Sequence, residues 1–165
     1  MITAARVREL WDYNEFDGLL RWRTAPCGHR KRVGDIAGWV SKSRGYRKIR
    51  LDGQDIQQHR VAWLWIHGEW PSVQLDHING NRTDNRLVNL REATSSQNKM
   101  NVPIKRNNSS GYKGVSWCRE RRKWKAQIQI NGKNRMLGRF ESPEEAHHVY
   151  CNQAKRLFGE FARVE

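Results

Sequence analysis

The sequence lacks the features that would place it outside the cell or in a membrane. Its three cysteines, Cys27, Cys118 and Cys151, are widely spaced and form no Cys-x-x-Cys pair. That spacing argues against a disulfide framework and against a structural zinc site. No apolar run approaches the roughly 20 residues that a membrane helix needs, and Arg6 and Arg8 interrupt any signal-peptide core. We therefore expect a soluble protein of the cytoplasm.

Acidic side chains are scarce relative to basic ones. The chain has 31 Lys and Arg against 17 Asp and Glu, a formal charge of +14 over 165 residues. The charge is uneven, at +5 over residues 1–70, +1 over residues 71–101 and +8 over residues 102–165. A balance this basic favours a polyanionic partner, and eight tryptophans add surface for stacking or for a core. The length suits one modest domain or two small ones.

The nearly neutral middle of the chain contains the most informative stretch. Residues 73–78 alternate and predict a short half-buried strand, closed by a turn at Asn79-Gly80. A loop without periodicity follows. Residues 90–94 predict a second strand, and Ser95 or Ser96 is suited to cap a short helix. The predicted order is strand, long loop, strand, helix.

The residue types in this plan suit hydrolysis of a phosphodiester, which needs an activated water, a Lewis acid and neutralisation of the phosphate charge. His77 is suited to take a proton from water near neutral pH. Asp76 and Asn98 offer hard oxygen ligands, which fit Mg²⁺ or Mn²⁺ better than zinc. The Asn89 amide is suited to pinning the loop that orients the His77 ring. The alternative is that Asp76 and His77 only belong to a turn with a satisfied histidine.

Taken in order, these motifs resemble the HNH endonucleases. The resemblance covers about residues 58–101 and is carried by His-Arg-Val-Ala-Trp from His59, Asp-His-Ile-Asn-Gly-Asn from Asp76, Asp-Asn-Arg-Leu-Val-Asn-Leu from Asp84 and Ser-Gln-Asn-Lys-Met-Asn from Ser96. The sequence most resembles the branch found in phage and intron-encoded homing endonucleases, whose core is the ββα-metal fold.

The resemblance implies a role for each candidate residue. His77 would be the general base, Asn89 the central asparagine of the loop, and Asp76 with Asn98 the ligands of one divalent ion. Many members of the family have a second histidine where this chain has Asn98. That difference favours Mg²⁺ over zinc or nickel.

Upstream of this core the sequence predicts small α and β elements that complete a nuclease domain over residues 1–101, with its core at about 73–101. The expected elements are a helix from Thr3 to about Trp11, a strand over residues 19–23, a hairpin over residues 45–57 and a buried helix over residues 59–67. Residues 25–32 form a basic loop, which contacts phosphate or is only solvated.

A polar stretch, residues 102–110, predicts a linker to a second module over residues 111–165. This module begins with strands at 112–117, 124–130 and 134–140. A helix follows, with Ser142 and Glu145 as a capping box and Gly159 as its end. Such a sheet with one helix on it leaves a polar face for base edges. The basic residues beside that face, suited to phosphates, are Arg119, Arg121, Arg122 and Lys123.

Residues 109–163 resemble the Apetala/ethylene-response-factor DNA-binding domain through Tyr-Lys-Gly-Val, Lys-Trp-Lys-Ala-Gln-Ile, Leu-Gly-Arg-Phe and Glu-Glu-Ala-His-His-Val-Tyr. The resemblance implies a sheet laid in the major groove, with Lys113, Ser116, Arg119, Gln127, Gln129 and Met136 as contacts. The full predicted set also contains Arg121, Lys125 and Arg135. The alternative is a sheet that binds protein or only keeps the chain in solution.

Together these observations predict an α+β protein in which a ββα-metal nuclease core precedes a three-stranded antiparallel sheet with one packed helix. The predicted function is a divalent-metal-dependent DNA endonuclease of homing type that nicks double-stranded DNA with one Mg²⁺ or Mn²⁺ per chain. We expect a monomer or weak dimer in the host cytoplasm, since the resemblance makes a phage origin plausible. The alternatives are a non-catalytic DNA-binding regulator with a decayed nuclease core and, less favoured, a nuclease acting on RNA.

Overall fold

The computed structural model describes residues 2–24 and 31–164, and the chain divides into two compact units, residues 1–92 and 93–165. Helices account for 29% and strands for 31% of the structure, which confirms the α+β class. Most of the predicted basic loop, at residues 25–30, lies outside the described residues. No helix in the described ranges is long and apolar enough to cross a membrane.

The first unit is built from two short helices and several small antiparallel sheets. Strands β1 and β2 form a hairpin, β3, β4 and β5 form a sheet in that order, and β6 pairs with β7. The element bounds are α1 Ala4–Leu10, β1 Trp11–Asn14, β2 Leu19–Trp22, β3 Trp39–Val40, β4 Arg47–Leu51, β5 Gln54–Gln57, α2 Gln58–His67, β6 Gln74–His77 and β7 Leu90–Ala93.

Local sequence signals explain where these elements begin and end. The Thr3 side chain accepts a hydrogen bond from Arg6 N and caps α1, as predicted. Helix α2 ends at Gly68, which has the left-handed conformation that glycine adopts without strain. The predicted hairpin of β4 and β5 is confirmed. Strands β1 and β3 were not predicted.

One apolar core holds this unit together. Trp11 and Leu20 of the β1–β2 hairpin pack there against Ile49 of β4 and Val61 of α2, and all four are 0 or 1% exposed. Because the amphipathic helix α2 faces this core, its polar residue Gln58 is fully buried. The core therefore fixes α2 against the N-terminal hairpins.

The second unit confirms the predicted three-stranded antiparallel sheet with one packed helix. Ala146, Tyr150 and Ala154 of its long helix are buried, and Tyr150 and Ala154 pack against Ile128 of the central strand. Ser142 caps that helix, as predicted. The bounds are α3 Ser95–Met100, β8 Val115–Cys118, β9 Lys123–Ile130, β10 Lys133–Phe140 and α4 Pro143–Phe158, with the strands in the order β10, β9, β8.

The junction between the units differs in detail from the sequence expectation. Helix α3 is capped by Thr94 in a capping box with Gln97, not by Ser95 or Ser96. Thr94 takes this position because its hydroxyl lies one residue ahead of the first helical turn. Met100, at the end of α3, is buried in the core of the second unit. The division into residues 1–101, 102–110 and 111–165 stays a prediction.

Candidate active site

The candidate base, His77, is the last residue of β6 and is 4% exposed. The predicted turn follows it, with Gly80 N donating to His77 O at 2.8 Å and Gly80 at φ +74°. Leu75 and Asp76, which precede it, are also buried, whereas Val73, Gln74 and Ile78 are exposed, as expected of a half-buried strand. Asn85, in the loop after the strand, reaches back to the His77 ring.

The loop over residues 78–89 is closed by Asn89. The Asn89 side chain accepts a hydrogen bond from Asn79 N at 2.9 Å and donates one to Asp84 O at 2.8 Å. Its backbone carbonyl accepts a bond from Ile78 N at 2.9 Å. Asn89 thus ties the start, middle and end of the loop together, which is the geometry expected of the pin inferred from the sequence.

An ion pair stiffens the same loop. Arg86 Nε donates to Asp84 at 2.7 Å, and Asn79 Nδ2 donates to Asp84 at 2.8 Å. The Arg86 hydrogen bond, ahead of the one from Asn79, lowers the pKa of Asp84 to about 2. Asp84 is therefore ionised at all physiological pH values.

Two buried amides connect His77 to the rest of the first unit. His77 Nε2 lies 3.1 Å from Asn85 Oδ1, Asn85 Nδ2 donates to Gln58 Oε1 at 3.0 Å, and Gln58 Nε2 donates to Ala37 O at 3.1 Å. Gln58, Asn85 and Ala37 are all 0% exposed. We call this chain of contacts the amide relay.

Burial sets the protonation state of His77. It lowers the pKa of His77 below the ordinary histidine value, and this outweighs the hydrogen bond to Asn85 and the Asp76 carboxylate, which raise it. The ring is therefore neutral near neutral pH and able to accept a proton.

Two aromatic rings of the first unit, those of His59 and Tyr46, lie beside the His77 ring. His59 meets it edge to face, with ring centroids 4.9 Å apart, and Tyr46 lies 5.9 Å from it. The Arg82 guanidinium stands over the Tyr46 ring at 4.9 Å. Burial lowers the pKa of His59 to about 3, with smaller contributions from His77 and Arg60. His59 is therefore a neutral packing partner.

The carboxylate proposed as a metal ligand, Asp76, is 4% exposed and paired with Arg91 of the neighbouring strand. Arg91 Nε and Nη2 each lie 3.0 Å from Asp76 Oδ2, which fixes the orientation of the carboxylate. HNH nucleases generally use a divalent metal ion. Mg²⁺ typically takes one or two protein carboxylates and completes its shell with water and substrate phosphate, so a carboxylate such as Asp76 is a suitable type of ligand. Its role as a ligand stays a prediction.

The remaining ligand prediction falls on α3 in the second unit. Asn98 lies in the middle of that helix, and its backbone N–H donates to Thr94 O at 2.9 Å. Its role as a ligand stays a prediction. No group of three or more His, Cys, Asp or Glu side chains within residues 2–24 and 31–164 is arranged to hold a metal ion.

Most of the predicted DNA contacts lie on the face of the second-unit sheet that is opposite α4. On central strand β9, Lys125, Gln127 and Gln129 alternate with residues that pack on α4, such as Ala126 and Ile128. Their cross-strand partners belong to the same face. We call this set the open face: Ser116, Lys125, Gln127, Gln129, Asn134, Met136 and Arg139.

Four predicted contacts lie elsewhere. Arg119 and Arg121 are exposed in the turn between β8 and β9. Arg135 is exposed but pairs with buried Ile128, which assigns it to the helix-bearing side of the sheet at its edge. The Lys113 ammonium donates to three backbone carbonyls at 2.6 to 2.7 Å. Its three hydrogens are thus used within the second unit, so we leave Lys113 out of the DNA-contact set proposed below.

Sequence reasoning missed the residues that orient the candidate site. Gln58, Asn85 and Arg91 were given no role, although each contacts His77, Asp76 or a residue beside them. Gln58 precedes His59 and Arg60 in the first turn of α2, so only the fold shows that it is fully buried and must find a partner.

Comparison with known proteins matches the same segment to a known family. The HNH endonuclease family model matches residues 57–100. The chain is 32% identical over 108 residues to "Protein 3.8" of Escherichia phage T7, an alignment covering 65% of this chain and 88% of that protein. It is 36% identical over 126 residues to "Uncharacterized HNH endonuclease L560" of Acanthamoeba polyphaga mimivirus, covering 75% of this chain.

These matches differ in what they cover. The chain spans 64% of the length of the mimivirus relative, so that protein has parts with no counterpart here. No solved structure matches the chain significantly. The phage relative is matched over nearly its whole length, and the family model covers the segment that contains β6, the loop and Asn89. The chain therefore belongs to the same family as Protein 3.8 of phage T7, and its residues 57–100 form an HNH endonuclease domain.

Proposed function

We propose that this protein is a divalent-metal-dependent endonuclease that hydrolyses phosphodiester bonds of double-stranded DNA. The observation that carries the proposal is the placement of His77. It lies within the segment that matches the HNH endonuclease model, and burial keeps it neutral near neutral pH. A neutral imidazole held by a hydrogen bond is a competent general base.

In this proposal His77 accepts a proton from a water molecule while the oxygen of that water attacks phosphorus. The bond from phosphorus to the 3′-oxygen breaks, which leaves a 5′-phosphate and, after protonation by water, a 3′-hydroxyl. Asn89 holds the loop that contacts His77, and Arg91 holds the Asp76 carboxylate. A Mg²⁺ or Mn²⁺ ion at Asp76, with Asn98 as the expected second ligand, would act as a Lewis acid on the phosphate and the departing oxygen.

The second unit is proposed to bind the duplex through its open face. The net charge of +8 over residues 102–165 favours DNA, and the amides of Gln127 and Gln129 are suited to base edges. Arg119 and Arg121, exposed in the adjacent turn, are suited to phosphates. Because each chain has one candidate base, we expect a monomer to nick one strand.

The test is conversion of supercoiled plasmid to open circles with Mg²⁺ and with EDTA. We expect metal-dependent nicking by the wild type and a loss of about 10²- to 10⁴-fold in His77→Ala. The matched control is His67→Ala, the same substitution at an exposed histidine of α2, which should cut normally. Normal cutting by His77→Ala would refute the assignment of the base. Binding without new DNA ends across several divalent ions would favour a DNA-binding regulator instead.

A further inference from the structure

We infer that Gln58 and Asn85 are positioning residues that hold the neutral His77 ring in the tautomer with hydrogen on Nε2, so that Nδ1 is the nitrogen that accepts a proton. The role of Nδ1 in cleavage rests on the proposed nuclease function. The tautomer itself follows from the amide relay and can be measured without a substrate.

The Ala37 carbonyl determines which group is the donor in each hydrogen bond of the amide relay. The Ala37 carbonyl can only accept a hydrogen bond, so Gln58 must present its NH₂ group there, at 3.1 Å. The Gln58 oxygen then faces Asn85, whose NH₂ group donates to it at 3.0 Å. Asn85 Oδ1 is consequently turned toward His77 Nε2, at 3.1 Å. An amide oxygen has no hydrogen to give, so Nε2 must be the donor.

The hydrogen bond to Asn85 determines which nitrogen of the His77 ring carries the hydrogen. A neutral imidazole carries one N–H, and with that hydrogen on Nε2 the lone pair must be on Nδ1. If Asn85 rotated by half a turn, its NH₂ group would face Nε2 and favour the opposite tautomer, but it would then place its oxygen against the Gln58 oxygen. Both amides are fully buried, so bulk solvent cannot relieve that repulsion.

The anchor of the relay is itself fixed by the fold. Ala37 N donates to Leu20 O at 2.8 Å, which joins it to β2. Gly38 has φ +79°, and a Cβ atom there would lie 2.0 Å from Lys48 O of β4. Only glycine permits this approach, so Gly38 allows Ala37 to be held between β2 and β4. The position of Ala37 between these strands thus determines the orientation of the His77 ring through Gln58 and Asn85.

The experiment is a long-range ¹⁵N–¹H correlation spectrum of the histidine side chains, recorded near neutral pH without metal. The chain has six histidines, and His77→Gln assigns the relevant signals. In the wild type we expect His77 Nε2 to be protonated and Nδ1 to be unprotonated. In Gln58→Met, which matches the size of glutamine but cannot hydrogen-bond in its place, Asn85 can rotate, and the two ¹⁵N shifts should move toward each other.

Two further variants distinguish a change in the orientation of the His77 ring from a general loss of stability. Asn85→Leu removes the acceptor itself, and we expect kcat for plasmid nicking to fall about 10²-fold with little change in KM. Tyr13→Phe removes hydrogen bonds to Asn85 O and from Leu87 N but leaves the relay intact. It should lower stability while leaving the ¹⁵N shifts of His77 unchanged.

The outcomes are distinguishable. Protonation of His77 Nδ1 in the wild type, or unchanged ¹⁵N shifts in Gln58→Met, would overturn the relay. If the shifts move as expected but the wild type does not cut DNA with any divalent ion, the relay stands and the nuclease proposal fails. If Gln58→Met changes the shifts and lowers kcat, both are supported.

Discussion

The imidazole rings of His59 and His77 meet edge to face with centroids 4.9 Å apart, in the interior of the first unit. His59 is 3% exposed, and its Nδ1 atom has no hydrogen-bond partner within the described residues. Two charged rings at this separation would repel each other in a low-dielectric interior. The fold therefore requires His59 to be neutral, and its pKa is lowered to about 3, first by burial and then by His77.

The first prediction is that acid destabilises the protein through His59. In the unfolded chain a histidine gains a proton below about pH 6.5, whereas folded His59 stays neutral down to about pH 3. The unfolded state then binds more protons, so stability falls as pH falls through this window, by about 1.4 kcal/mol per unit. Urea unfolding near pH 7 and near pH 5 should show a loss of about 2 kcal/mol.

The control for this prediction is a comparison of two leucine variants. His59→Leu should have a flatter dependence of stability on pH, because its contribution is gone, while His77, whose pKa burial also lowers, keeps part of the dependence. His67→Leu, at an exposed position of α2, should keep the dependence of the wild type. Equal slopes in the wild type and His59→Leu would show that other groups cause the acid sensitivity.

The second prediction concerns the approach of the β1–β2 hairpin to the loop over residues 78–89. A Cβ atom on Gly18 would lie 2.3 Å from Arg86 N and 2.4 Å from Asn85 C, closer than real atoms come. Gly18→Ala should therefore cost about 2–4 kcal/mol, combining left-handed strain with displaced backbone. It should also slow DNA nicking, since Asn85 belongs to the amide relay.

Gly45 provides a matched control, because it has the same φ of +71° with nothing within 4 Å of an added Cβ. Gly45→Ala should lose only the strain contribution, about 1 kcal/mol. Thermal unfolding of both variants isolates the steric clash as the difference. Similar losses in the two variants would show that the hairpin does not press on the loop.

The sequence predicted those parts of the fold that short-range chemistry determines. Thr3, Gly68 and Ser142 mark helix ends because capping and left-handed backbone depend on one or two residues. Strand β3 was missed because two residues are too few to show a period, and β1 was missed because its first residue, Trp11, was placed on the apolar face of the predicted helix. The helix expected through Trp11 ends at Leu10 because that tryptophan begins β1.

The candidate site was predictable only in its motif residues. His77 and Asn89 stood in a recognisable order, but Asn85 lies in a loop without period, so nothing local indicated that it would face the ring. The Asp76–Arg91 pair depends on how β6 and β7 align, and sequence alone did not give that register. Lys113 was carried over from a resemblance, and only the fold shows that three carbonyls converge on its ammonium.

The third prediction tests whether Asp76 is available to a cation. Arg91→Met removes the guanidinium that neutralises a carboxylate only 5% exposed, and should cost about 3 kcal/mol in EDTA. Millimolar Mg²⁺ should restore part of this loss, because the ion supplies the missing positive charge. Arg6→Met, which breaks the exposed pair with Glu9, should be nearly neutral and unaffected by Mg²⁺. Failure of Mg²⁺ to restore stability would argue against Asp76 as a ligand.

The fourth prediction separates two lysines that both belonged to the expected DNA-contact set. Lys113→Met removes three hydrogen bonds to the carbonyls of Met100, Val102 and Arg163, and should lower stability by about 2 kcal/mol. It should leave the salt dependence of DNA binding unchanged, because an ammonium that is bonded within the protein neutralises no phosphate. Lys125→Met, on the open face, should leave stability nearly unchanged and reduce the slope of log K against log salt by about 0.9. Binding measured by fluorescence anisotropy over a salt series decides between them. A reduced slope in Lys113→Met would return that residue to the interface, and an unchanged slope in Lys125→Met would move the DNA away from the open face.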